Sequence, residues 1–209
     1  EWHSDGCGLT GLYAAEVPGS EDPKRTTWWA SGYRAWDLLD SETQEKVKRL
    51  RLRFGPRHTL EASVAEIWRR GGRMTRNGLR LATAVAPERL SAEERQRRLA
   101  TTNPRRYEHF NGSPVRRHPF TDRLTLWSLP VFLDSCEGME SFHEAGEALE
   151  QLLLPGTSGD SVYVHEWSPG DFVVWDNRST LHSTTDVIDA PQLMYQAFLR
   201  TKTPMRVVE

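Results

Sequence analysis

Two imidazoles and one carboxylate are the residues of this chain whose types and spacing favour metal binding. His3 and Asp5 lie two positions apart near the start of the chain. On an extended strand such residues point to the same face, so both side chains can reach one ion. A third ligand, His182, follows an apolar strand near the other end. Two histidines and one carboxylate on one face of an octahedron favour Fe(II), with three positions open for a bidentate 2-oxo acid and dioxygen.

The same residues also have simpler explanations. A His-x-Asp pair is a weak signal, and a surface strand with a hydrogen-bonded histidine explains it as well. His165, in a second stretch of alternating residues, competes with His182 as the distal ligand. The residue types alone leave both questions open.

Three stretches of the chain together match one protein family in wording and order. They are Trp2-His3-Ser4-Asp5, Thr27-Trp28-Trp29-Ala30-Ser31, and Gly170-Asp171 followed by Trp175-Asp176-Asn177-Arg178-Ser179-Thr180-Leu181-His182. A looser fourth match is Pro114-Val115-Arg116-Arg117-His118-Pro119-Phe120-Thr121. With these motifs the chain resembles the taurine dioxygenase/TfdA (TauD/TfdA) family of Fe(II)- and 2-oxoglutarate-dependent oxygenases. The matches span nearly the whole chain, and the third one favours His182 over His165.

The resemblance implies a metal site, a co-substrate site and a reaction. Fe(II) is expected on His3, Asp5 and His182, with 2-oxoglutarate as the chelating co-substrate. Thr27 takes the place of the residue that hydrogen-bonds the distal carboxylate of 2-oxoglutarate, and Phe132 takes that of an aromatic residue over the substrate. An ordinary buried residue is the alternative at both positions. The expected reaction is hydroxylation of an unactivated C–H bond of a small organic substrate, with release of succinate and CO2.

The sequence departs from the family at the residue that pairs with the distal carboxylate of 2-oxoglutarate. The family has an Arg on its last strand about 10 to 15 residues after the distal His, because a buried carboxylate needs a cationic partner. Here that window, 192–197, holds neither Arg nor Lys, and the first Arg is Arg200, at 200 − 182 = 18 residues. A longer loop over 186–191 can bring Arg200 into place. Otherwise Arg200 is a surface cation, and the anchor is Lys202, another residue or nothing. Arg178 is expected to be structural, paired with a nearby carboxylate.

The pattern of elements predicts a protein that is mainly β with flanking helices. Many short strands with turn signals favour a double-sheet jelly roll, and the resemblance implies the same double-stranded β-helix. We expect a single domain over 1–209, with a variable lid or insert at about 57–110. The domain is expected to lack its N-terminal part, since the first proposed ligand follows Glu1 by two residues. The predicted strands are 2–17, 124–129, 161–167 and 192–202, and the predicted helices are 32–39, 42–53 and 138–154. Asp40-Ser41 is expected to cap the second of these helices.

The composition of the chain limits the classes of binding partner and the compartment that we expect. The formal net charge is −2 and 37% of the residues are hydrophobic, so no global feature indicates nucleic acid or a membrane surface. The two cysteines, Cys7 and Cys136, form no disulfide framework, which favours a reducing compartment such as the cytoplasm, or an organelle. The expected partners are a small-molecule substrate and dioxygen, and a homo-oligomer is compatible with the sequence.

Two rival functions use the same three ligands. One is a metal-binding jelly-roll domain with a binding or regulatory role, which keeps the triad without turning over 2-oxoglutarate. The gap in the window 192–197 supports this rival. The other is a zinc hydrolase. No additional general-base Glu lies next to the motif, which argues against this function.

Overall fold

The computed structural model describes residues 2–22, 24–55, 93, 108–129, 133–140, 142–184 and 191–208. Within them, short strands outnumber helices, as predicted. The strands are β1 Leu9–Glu16, β2 Thr26–Ser31, β3 Leu52–Phe54, β4 Val115–Arg117, β5 Leu124–Leu126, β6 Leu133–Cys136, β7 Val162–Glu166, β8 Phe172–Asp176, β9 Thr180–Thr184, β10 Leu193–Leu199 and β11 Arg206–Val207. The helices are α1 Gly32–Asp37, α2 Ser41–Arg49 and α3 Phe142–Leu153.

Two three-stranded antiparallel sheets form the part of the fold that matters for the site. One has the order β10-β1-β8 and the other the order β7-β2-β9, so each joins strands from both ends of the chain. Strands β11, β4 and β5 form a third sheet, and β3 pairs with β6. Distant stretches of sequence therefore meet side by side in each main sheet.

The inner faces of the two main sheets pack against each other through an aromatic cluster. We call this the inter-sheet cluster; its buried members are Leu12, Ala14, Trp29, Trp167 and Trp175. Leu12 and Ala14 come from β1, Trp29 from β2 and Trp175 from β8. Leu12 and Ala14 share the inner face because alternate residues of a strand point to the same side. The cluster fixes how the two sheets face each other.

A second core lies where the helices cover the sheets. It contains Trp2, Ala35 and Trp36 of the chain start and α1, Val47 of α2 and Leu153 of α3. Helix α2 begins at the predicted cap, since the Asp40 carboxylate accepts a hydrogen bond from the amide of Thr43 at 2.8 Å. In the described residues no helix is long and apolar enough to cross a membrane.

The predicted helix 42–53 was wrong at its C-terminal end. Helix α2 ends at Arg49, and Leu52–Phe54 form β3 instead, paired with β6. Leu52 and Phe54 are buried on either side of the exposed Arg53, which is the period of two that a strand shows. The residues Leu50 and Phe54 happen to fit helical spacing as well, so the pattern alone did not separate the two structures.

Two other predicted elements begin several residues later than expected. Regular strand starts only at Leu9, because Gly6 adopts a positive φ of 69° that turns the chain. The predicted helix 138–154 begins at Phe142. Most of the predicted lid or insert at 57–110 lies outside the described residues, as does Phe132.

Candidate metal centre and active site

The two predicted histidine ligands are brought together by a direct backbone bridge. The amide of His3 donates to the carbonyl of His182 at 2.9 Å, and the amide of His182 donates to the carbonyl of His3 at 2.8 Å. Their ring centroids lie 4.1 Å apart. This bridge pairs β9 with the start of the chain and brings the two imidazole rings next to each other.

Asp5 completes the group. Its Oδ1 lies 3.9 Å from Nε2 of His3 and 3.6 Å from Nε2 of His182. These separations are too long for hydrogen bonds, so the three groups leave room for a cation between them. One ligand atom from each residue lies within 4.8 Å of the others. The structure thus assembles the three residues that the sequence predicted as ligands; we call this group the metal end.

The protonation state of His182 suits a ligand. The residue is 7% exposed. Burial, with the nearby His3 ring as a second cause, holds the pKa of His182 well below its ordinary value. A neutral imidazole carries the lone pair that a metal ion needs, and Nδ1 of His182 has no hydrogen-bond partner among the described residues. The donor set therefore fits a divalent metal of the Fe(II) type.

Asn177 connects the two halves of the metal end, and the prediction from sequence did not assign it a role. It is fully buried, and its Oδ1 accepts from the backbone amide of Asp5 at 3.2 Å and from Nε1 of Trp175 at 3.0 Å. Its Nδ2 donates to Oγ1 of Thr10 at 2.7 Å. The Thr10 hydroxyl in turn donates to Oδ2 of Asp5, which leaves Oδ1 directed at the histidines. The position of Asn177, a polar residue at the end of an apolar strand, was the sequence feature that could have indicated this role.

A second polar network holds the turn that leads into β9. Nε and Nη2 of Arg178 donate to the two carboxylate oxygens of Asp176, both at 2.7 Å, which confirms the predicted structural role of Arg178. His118, from the looser fourth motif, lies 3.2 Å from the same carboxylate. Burial alone would raise the pKa of Asp176, but these hydrogen bonds hold it below its ordinary value. The turn is therefore rigid where it must deliver His182.

Thr27 lies on the inner face of β2, further between the sheets than His182. On this sheet Trp29 pairs with His182, and Thr27 pairs with Thr184. Thr27 is buried, and its Oγ1 accepts a hydrogen bond from Nε1 of Trp167 at 2.8 Å. The position is compatible with the predicted contact to the co-substrate.

One charged residue near Thr27 was missed by the sequence reasoning. Arg25 precedes β2 by one residue, and its Nη1 donates to Oε1 of Gln192 at 2.7 Å. Gln192 stands directly before β10, so this hydrogen bond joins the two main sheets. We call Arg25, Thr27 and Gln192 the guanidinium end.

The remaining candidates lie elsewhere. Arg200 follows the end of β10 and is exposed; the carbonyl of the preceding Leu199 accepts from the amide of Gly8 at 3.0 Å. Lys202 is also exposed. His165, the competitor for the distal position, lies 2.9 Å from a carboxylate oxygen of Asp171 and outside the metal end.

Comparison with known proteins places this geometry in one family. The family model described as "Taurine catabolism dioxygenase TauD, TfdA family" matches residues 1–198. One curated relative is the alpha-ketoglutarate-dependent xanthine dioxygenase xan-1 of Neurospora crassa, 30% identical over 77% of this chain and 36% of its own. Another is pentalenolactone F synthase of Streptomyces avermitilis, 25% identical over 82% of this chain and 49% of its own. The chain thus spans about a third to a half of the length of these relatives.

Solved structures agree on the fold. A structure of AAD-2 in complex with Mn(II) and N-oxalylglycine superposes with a TM-score of 0.69 at 24% identity, over 100% of this chain and 71% of that one. A 2,4-D dioxygenase-like protein of Burkholderia xenovorans, described as dependent on alpha-ketoglutarate, gives a TM-score of 0.65 at 22% identity, over 95% and 66%. The mainly β architecture is therefore that of these jelly-roll-like proteins. With the family model matched over nearly its whole length, the chain belongs to the TauD/TfdA family of dioxygenases.

Proposed function

We propose that this chain forms the catalytic domain of an Fe(II)- and 2-oxoglutarate-dependent dioxygenase on a double-stranded β-helix. The proposed reaction hydroxylates an unactivated C–H bond of a small organic substrate and releases succinate and CO2. The observation that carries the proposal is the metal end, in which His3, Asp5 and His182 face one another from opposite ends of the chain. Family membership and relatives named as alpha-ketoglutarate-dependent dioxygenases support it.

The residues of the metal end have distinct tasks in this proposal. Bound Fe(II) would supply the redox chemistry that couples dioxygen and the 2-oxo acid to oxidation of the substrate. His3, Asp5 and His182 would hold the ion through one ligand atom each. Thr10 and Asn177 orient the Asp5 carboxylate through hydrogen bonds, as outer partners of metal ligands commonly do. The cluster around Trp175, whose ring lies 4.9 Å from that of His182, keeps water away on the inner side.

Thr27 is suited to bind the far end of the co-substrate. Its hydroxyl oxygen already accepts from the indole N–H of Trp167, so its own O–H proton is left to donate to another acceptor. The distal carboxylate of 2-oxoglutarate is that acceptor in this proposal. The sequence also suggested Arg200 for this carboxylate, but Arg200 is exposed after the end of β10, and Phe132 remains the proposed substrate contact.

The substrate is proposed only as a small organic molecule. The relatives carry names that refer to chemically different compounds, among them xanthine and phenoxypropionate. Names of this breadth do not select one compound for this chain.

An anaerobic titration of the protein with Fe(II) and 2-oxoglutarate tests the proposal. The expected result is a visible metal-to-ligand charge-transfer band that saturates at one 2-oxoglutarate per iron, followed by succinate formation when air is admitted. Iron binding without a band would contradict the dioxygenase proposal and favour a metal-binding domain without turnover. Pyruvate, which lacks the distal carboxylate, is the matched control and is expected to need a much higher concentration.

A further inference from the structure

The starting point is a requirement of the co-substrate, and the inference rests on the proposed function. 2-Oxoglutarate carries two carboxylates, of which one chelates the metal with the keto oxygen. The other, on the Thr27 side of the metal end, would lie between the sheets, where an unpaired charge is costly. A cation must therefore lie further between the sheets than His182.

Arg25 is directed into that space. Alternate residues of a strand share a face, so Arg25 lies on the side of β2 that carries Thr27 and Trp29. Trp29 belongs to the inter-sheet cluster and Thr27 contacts Trp167 of the same cluster, which shows that this side faces inward. The contact of Arg25 with Gln192 across to the other sheet agrees with this placement.

The spacing along β2 suits the length of the co-substrate. Trp29 pairs with His182, and Thr27 lies two residues further in, or about 7 Å at the rise of a strand. Arg25 is two residues further again, and its long side chain can reach back toward Thr27. A carboxylate beside Thr27 would then meet a hydroxyl from one residue and a guanidinium from the other.

The guanidinium of Arg25 has hydrogen-bonding capacity to spare. Its Nε is buried and has no hydrogen-bond partner among the described residues. No carboxylate of the described part of the chain forms an ion pair with it, and burial alone lowers its pKa. Arg25 is half-buried, and an anionic ligand beside it would offset the cost of desolvating the guanidinium.

Arg116 shows what a satisfied buried guanidinium looks like in the same fold. Its Nε is also buried without a partner. However, its terminal nitrogens donate to the carbonyls of Phe110 and Asn111, and the group lies over the ring of Trp127, 5.3 Å from the centroid. Among the described residues, the Arg25 guanidinium has one side-chain hydrogen bond, to Gln192, which leaves a face for a ligand.

We propose that Arg25 binds the distal carboxylate of 2-oxoglutarate, with Gln192 as its positioning residue. Gln192 stands 10 residues after His182, where an Arg on β10 would otherwise supply the charge. In this chain Arg25, which precedes β2 of the other main sheet, supplies the charge instead, and Oε1 of Gln192 accepts a hydrogen bond from it. Arg200 is then an exposed cation beside the chain start and not the anchor.

The test compares Arg25→Gln with Arg200→Gln, which remove the same charge from the two candidate positions. Affinity for 2-oxoglutarate is read from the charge-transfer band under anaerobic Fe(II), and Fe(II) affinity is measured separately. Arg25→Gln is expected to weaken 2-oxoglutarate binding about 10- to 100-fold, as for a lost charge-assisted hydrogen bond. Arg200→Gln is expected to change it less than about twofold, and both variants are expected to keep their affinity for Fe(II).

A second ligand separates charge recognition from general damage. 2-Oxobutyrate has the keto acid but lacks the distal carboxylate, so Arg25→Gln is expected to bind it as the wild-type protein does. The double variant Arg25→Gln/Gln192→Arg exchanges the two groups across the sheets and is expected to recover at least about tenfold of the lost affinity. Should Arg25→Gln fail to fold, Arg25→Lys is expected to lower the preference for 2-oxoglutarate over 2-oxobutyrate several-fold, because an ammonium lacks the bidentate fork.

Three results would overturn the inference while leaving the proposed function in place. They are wild-type affinity in Arg25→Gln, an equal loss for 2-oxobutyrate, or an unchanged preference in Arg25→Lys. A larger loss in Arg200→Gln than in Arg25→Gln would do the same and would assign the role to Arg200. Absence of the band in the wild-type protein would instead contradict the proposed function itself.

Discussion

The metal end and the guanidinium end lie in the same space between two sheets, yet they are built in different ways. At the metal end, backbone hydrogen bonds pair His3 with His182, and Asn177 ties the segment of Asp5 to the end of β8. At the guanidinium end, a single side-chain hydrogen bond joins Arg25 to Gln192, and a buried nitrogen is left over. One end is held by the main chain and the other by side chains.

The difference follows from what each ligand requires. A metal ion needs several donor atoms at set distances and angles, so its ligands must be fixed by strand pairing. A carboxylate needs a positive charge and a few donors, and a long flexible side chain from either neighbouring strand can supply them. The ligands of the metal end can therefore be recognised from short sequence motifs. The cation that binds a carboxylate, in contrast, can come from different strands in different proteins.

The largest effect is expected from removing a ligand at the metal end. His182→Ala leaves two ligands and is expected to weaken Fe(II) binding by more than about 100-fold, beyond the loss caused by outer partners. His165→Ala removes an imidazole from strand β7 of the same sheet and is expected to leave iron binding unchanged. Stoichiometric iron measured by elemental analysis in His182→Ala would refute the assignment of the metal end.

The next largest effect is expected from the residue that joins its two halves. Asn177→Ala leaves the indole N–H of Trp175 and the amide of Asp5 without their acceptor, and we expect a loss of about 3 kcal/mol in the free energy of unfolding. Fe(II) affinity is expected to fall about 10- to 100-fold. Asn111→Ala is the control, since Asn111 accepts from the amide of Phe54 in β3 and is not part of the metal end. Urea unfolding and iron titration of both variants check the prediction; equal iron affinities would contradict it.

A smaller effect is expected at the guanidinium end from Trp167→Phe. The change keeps the ring in the inter-sheet cluster but removes the N–H that orients the hydroxyl of Thr27. Affinity for 2-oxoglutarate is expected to fall about threefold, the value of one neutral hydrogen bond. In a Thr27→Val background the same change is expected to add nothing, because the two residues act as one unit. Additive losses in the charge-transfer titration would show that Trp167 acts by another route.

The smallest effect concerns the turn that leads to His182 and depends on pH. The pKa of Asp176 is depressed in the folded protein, so its pairing with Arg178 stabilises the fold above the unfolded pKa of about 4 and is lost as the pH falls through the folded value. Wild-type protein is therefore expected to lose stability below about pH 4 more steeply than Arg178→Met. Thermal unfolding at pH 3 to 7 tests this, and parallel curves for the two proteins would count against it.

The predictions from sequence succeeded where a motif and a strand pattern coincided. His3, Asp5 and His182 were named as ligands from the sequence and meet in the structure. The resemblance gave Thr27 a role at the co-substrate, which stays a prediction, and the structure places Thr27 on β2, the strand that pairs with the strand of His182. The cap at Asp40 was also found, because capping depends on local hydrogen bonds.

The failures have a common physical cause. Leu52 and Arg53 were assigned to a helix because the apolar spacing around them, which includes Phe54, fits a helix as well as a strand. Only pairing with β6 decided for a strand. Arg25 was overlooked because an Arg before a strand has no special spacing. Its relevance depends on a partner, Gln192, that lies 167 residues away in the chain.

Residue type and local order thus determined the donor set, the capping residue and the family to which the chain belongs. Which residues meet was decided only by the tertiary structure, through the antiparallel pairing of β2 with β9 and the packing of one sheet on the other. The physical reason is that local hydrogen bonding is encoded within a few residues. The position of a charge such as that of Arg25, by contrast, acquires meaning from burial and from groups that only the folded chain brings near.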